Sequence, residues 1–73
     1  MTALQQKMLG RLAKLRSDTT MCPGRLAREC GTTLAAARSD LFALAEAGRV
    51  VLSQRGQRTA PATVKGPFRV RLT

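Results

Sequence analysis

From Phe68 to Leu72 the chain alternates strictly between apolar residues and arginines, in the closing stretch KGPFRVRLT (65–73). A helix would scatter these side chains around its axis. A strand sorts them: Phe68, Val70 and Leu72 to one face, Arg69 and Arg71 to the other. The alternation therefore demands a sheet with one buried and one open face. It also raises the question of what the basic open face meets. With 73 residues the chain makes one domain, 1–73, and its core is small.

The residues before this strand have a different period. Leu4, Met8, Leu12 and Leu15 recur at helical spacing, with Lys7, Arg11 and Lys14 beside them, and predict a first helix from about Ala3 to Arg16. Thr2 and Gln5 have the spacing of a capping box at its start. The basic stripe reads as the solvated flank of a core-facing helix; a membrane-surface helix would carry aromatic residues there.

Thr19-Thr20-Met21 is a candidate short strand. Pro23 suits the first position of a second helix that ends near Cys30, with Gly31 as its stop. Thr32 or Thr33 caps a third helix in which Leu34, Ala37, Leu41, Leu44 and Ala45 share one face, and Gly48 ends it. Ala36, Ser39 and Ala43 lie on the opposite face, with Arg38 and Phe42 at the border. Val50-Val51-Leu52 starts a strand. Residues 54–67, punctuated by glycine and proline, read as a loop before the closing strand. The expected fold is α+β: a winged helix of three helices followed by a β-hairpin wing, with the Thr19–Met21 strand as a possible third.

Two stretches carry a resemblance. LAAARSDLFALAEAGRVVLSQRG (34–56) resembles bacterial winged-helix regulators, where a recognition helix passes through a leucine-x-x-leucine-x-x-x-glycine turn into the wing. Here those positions are Leu41, Leu44 and Gly48. CPGRLAREC (22–30), ALAEAGRVVLSQRG (43–56) and KGPFRVRL (65–72) are similar to a small bacterial domain family of unknown function with a winged-helix fold. The similarity covers most of residues 17–72. It departs before the third helix, where the family has a large aromatic and extra residues and this chain has only Gly31-Thr32-Thr33.

Charge supplies the functional reading. Thirteen Lys and Arg stand against four Asp and Glu, a net charge of +9. Residues 1–20 carry +3, residues 21–48 balance to zero, and residues 49–73 carry +6 with no acid. Such a balance favours polyanionic partners. The third helix offers Thr33, Arg38 and Ser39 as a thin base-reading set, with Arg25 on the helix before it. Arg55, Arg58, Lys65, Arg69 and Arg71 on the wing suit phosphates instead, which position a protein without specifying sequence. The expected function is weakly sequence-specific, wing-led binding of duplex DNA in a transcriptional or nucleoid role. Two alternatives stand beside it. One is a protein-interaction winged helix that docks partners, acidic ones included, through its third helix with Phe42 as anchor. The other is a structural RNA-associated protein.

Other classes recede. Without histidine, and with scattered acids, no acid–base pair forms, so an enzyme is not expected. Cys22 and Cys30 at opposite ends of one helix stand about 12 Å apart by helical rise, too far for a disulfide. Two thiols without histidine are a poor metal set, so neither metal nor cofactor is expected. No tyrosine or tryptophan offers a platform for stacking single-stranded bases. No apolar run is long enough for a signal peptide or a membrane span, which sets the cytoplasm as the default location.

Overall fold

A computed structural model describes residues 1–73. Three helices come first: α1 (Ala3–Leu12), α2 (Pro23–Glu29) and α3 (Leu34–Glu46). The strands β1 (Val50–Gln54), β2 (Gln57–Thr59) and β3 (Arg69–Leu72) follow, with a 3-10 turn at Pro61–Thr63. The strands form one antiparallel sheet in the order β2-β1-β3. This is an α+β fold with a winged-helix-like arrangement.

The helix starts follow local chemistry. Thr2 and Gln5 close both bonds of a capping box at α1. Pro23 opens α2, and the Thr33 hydroxyl accepts the Ala36 N–H at 3.1 Å to open α3. Gly31 and Gly48 end their helices at φ +70° and +76°, where a side chain would be strained. α1 stops at Leu12, short of the expected Arg16. No glycine stops it. Instead its last turn tightens, with Lys14 and Leu15 N–H groups reaching back three residues to Arg11 and Leu12. Leu15 still packs on the core.

The core lies where α1 and α3 meet the inner face of the sheet. Met8, Leu26, Leu41, Leu52 and Val70 are fully buried, and Leu12, Leu44, Val50 and Phe68 nearly so. In β3 the burial follows the alternation: Phe68 and Val70 are buried, Leu72 is half-buried, and Arg69 and Arg71 are exposed. Leu34 is the exception on α3. It is 49% exposed, because the buried face of the helix begins one turn later at Ala37.

The wing also differs from the expected loop. β1 and β3 pair as predicted, but residues 54–67 contain β2 and the 3-10 turn. Arg55 and Gly56, at φ +55° and +77°, make a two-residue turn closed by the Gln54–Gln57 pair. β1 therefore becomes the central strand. The short strand expected at Thr19–Met21 reduces to a single bridge: Met21 and Val70 exchange backbone bonds of 2.8 and 3.0 Å.

Candidate nucleic-acid interface

The register of the sheet determines which cations stand together. Ser53 pairs with Arg58 on one side and Arg69 on the other, so these three share a row across the outer face. Two strand spacings put the backbones of Arg58 and Arg69 about 10 Å apart. Arg71 lies on the same face, beside Val51. Arg55 sits at the hairpin tip. Around them lies a shallow depression of about 760 Å³, with Asp18 the single acid in its wall. No aromatic ring presents a flat face there: Phe68, the only ring in its lining, is itself buried.

The four arginines differ in freedom. Arg55 and Arg58 are exposed, with no side-chain hydrogen bond and no acid within 4 Å. Arg69 is held: Nε donates to Thr20 Oγ1 at 2.6 Å and Nη2 to the Thr20 carbonyl at 3.0 Å. Those bonds fix its direction and leave its charge unpaired. Arg71 donates to the Leu72 carbonyl at 3.0 Å.

The other predicted residues are more occupied. Arg25 pairs with Glu29 at 2.8 Å, and Arg11 of α1 holds the same carboxylate. Hydrogen bonds from Arg11 and then Arg25 keep the Glu29 carboxyl below the usual glutamate range. The Thr33 hydroxyl is engaged in its cap. Ser39 is exposed and makes no bond. Lys65 is exposed, and its carbonyl accepts from Gln54 Nε2 at 2.7 Å.

Arg38 has a structural task that sequence reading did not see. Its guanidinium lies 5.4 Å from the centroid of Phe42 and 5.0 Å from that of Phe68, and it donates to the Gly66 carbonyl at 3.3 Å. The two rings are 5.5 Å apart. Gln54 Nε2 also donates to the Pro67 carbonyl at 2.9 Å. Together Arg38 and Gln54 latch the segment 65–67 to α3 and β1. Phe42 is consequently half-buried against Phe68.

The thiols are free and unlike each other. Cys22 is exposed at the rim of the depression. It makes no regular cap bond, but the backbone N–H groups of Arg25 and then Gly24 lie close enough to favour its thiolate, and Arg69 and Arg28 add to this. Cys30 is buried, and burial pushes its thiol up. No three of the cysteines and acids converge as a metal site, and no helix is long and apolar enough to cross a membrane.

The model of the family DUF3253, described as a protein of unknown function, matches the chain over residues 1–73. No curated protein matches it.

Proposed function

The chain belongs to that family, and from this premise we propose that it is a binding module for duplex nucleic acid, DNA in the first place, led by phosphate contacts from the sheet. One observation carries the reading: Arg55, Arg58, Arg69 and Arg71 gather on the hairpin tip and outer sheet face with no acid paired to any of them. The absence of an exposed stacking ring favours a duplex over a single strand. The outer side of α3 adds Ala43 and Ser39, which offer little base reading, so sequence preference is weak. Glu29 is tied up in ion pairs and no histidine exists, which supports binding rather than catalysis.

Titration of fluorescent duplexes at several salt concentrations tests this. With about four to six phosphates neutralised, log affinity falls against log salt with a slope of roughly −4 to −5. Arg55→Ala with Arg58→Ala weakens binding to all duplexes alike and flattens the slope by up to ~2. Ser39→Ala changes little. The same titration with double-stranded RNA separates a DNA role from an RNA one. No binding to either duplex at low salt rejects the reading.

A further inference from the structure

One patch beside the basic depression is apolar and uncovered. Leu34, on the first turn of α3, is 49% exposed, and apart from Met1 no large apolar side chain stands so open. It borders a cleft of about 350 Å³ formed with Pro23, Gly24, Gly66, Pro67 and Phe68. The charges around this cleft share one sign. Arg38 lines it, Lys65 precedes Gly66, and Nη1 of Arg28 comes within 3.9 Å of the position a Cβ on Gly24 would take. No acid lines the cleft: Glu29 is held by Arg11 and Arg25, and Asp40 accepts from Gln5 at 3.1 Å.

An apolar floor within a positive rim fits one kind of occupant. A duplex would bring sugars and phosphates against Leu34, and the floor has few donors for them. The Phe68 ring is too buried to stack a base. A peptide can supply both complements at once. We propose that this cleft docks an acidic segment of a protein partner that inserts one bulky aliphatic side chain against Leu34 and the prolines Pro23 and Pro67, its carboxylates facing Arg28, Arg38 and Lys65. The cleft adjoins the basic depression and shares Cys22, Pro67 and Phe68 with it, but the proposal does not rest on the nucleic-acid reading.

The test is a titration of the isotope-labelled full chain, followed by amide chemical shifts. The probe is a synthetic peptide of glutamate and aspartate with two leucines one helical turn apart. A control peptide of equal charge has serine in place of both leucines. Saturable shifts centred on Leu34, Gly66 and Phe68 are expected, with the serine peptide at least about ten-fold weaker, as loss of one buried aliphatic group implies. Leu34→Ser weakens the leucine peptide by a similar factor. Should that variant disturb the fold, the comparison of the two peptides on the unaltered chain still decides. Equal binding of the two peptides, or shifts centred on Arg58 and Arg69, overturns the proposal, because the chain then reads charge alone. A duplex that shifts Leu34 more strongly than the leucine peptide also overturns it, and assigns the cleft to nucleic acid.

Discussion

Cys22 and Cys30 flank the same short helix in opposite surroundings, one exposed and lowered by nearby N–H groups and arginines, the other buried and raised. The thiolate is the reactive form. Iodoacetamide at neutral pH is therefore expected to modify Cys22 quickly and Cys30 only after denaturation, as followed by mass spectrometry of digested peptides. Equal rates would contradict the burial of Cys30. Glu29 gives a second residue-scale prediction. Its folded-state value lies below the unfolded one, through the Arg11 hydrogen bond and then that of Arg25. Its contribution is thus fully present above the unfolded value of about 4.3 and is lost as pH falls through the folded value. Thermal midpoints should hold between pH 7 and about 5 and drop below ~4, and Glu29→Gln should lower the plateau slightly and flatten the acid limb. The Thr2 cap, the Pro23 helix start and a threonine cap at Thr32 or Thr33 were legible because each is written within a few neighbouring residues; the structure selects Thr33. Arg11–Glu29 and Arg69–Thr20 were not legible, because their partners lie 18 and 49 positions apart and meet only once the helices and sheet pack.

At the scale of elements, the closing strand was legible because burial of one face imposes period two on its sequence. The third helix was legible from its apolar spacing and Gly48, except at Leu34, where periodicity cannot say whether a neighbour reaches the first turn. β2 was not legible. Gln57, Arg58 and Thr59 bury no apolar side chain, so no alternation marks them. Their one signal is the Arg55–Gly56 turn, in which arginine takes a left-handed conformation more often held by asparagine or glycine. The Arg38 latch joins two elements and has its own prediction. Arg38→Ala removes contacts with two rings and the Gly66 carbonyl, and should cost about 1–2 kcal/mol of stability by chemical denaturation. Amide exchange near Gly66 should quicken. If Arg38 positions the wing and does not touch phosphate, duplex affinity falls while the salt slope stays put; a slope reduced by ~0.9 would instead mark Arg38 as a phosphate contact.

At the scale of the whole molecule, thirteen cations and four acids share a body with a radius of gyration of 10.8 Å. Both ion pairs fall on Glu29, and the six cations after residue 48 have no acidic partner. At 0.01 M salt the screening length is about 30 Å, longer than the molecule's largest extent of 27 Å, so every cation feels the others. At 0.3 M that length falls to roughly 6 Å, and only neighbours on the same face still interact. Two consequences of one charge distribution then run in opposite directions. Screening relieves repulsion within the folded state, so the thermal midpoint should rise between 0.01 and 0.3 M sodium chloride. Relief of about 1 kcal/mol corresponds to some 4–8 °C for a chain of this size. The same added salt weakens duplex binding, because fewer counterions are released on contact. Arg58→Gln combined with Arg69→Gln should reduce both dependences, since the two residues share a row on the outer face. A midpoint that ignores salt while duplex affinity falls steeply would mean that the wing cations stand too far into solvent to repel one another. In that case the double variant would change binding and leave stability alone.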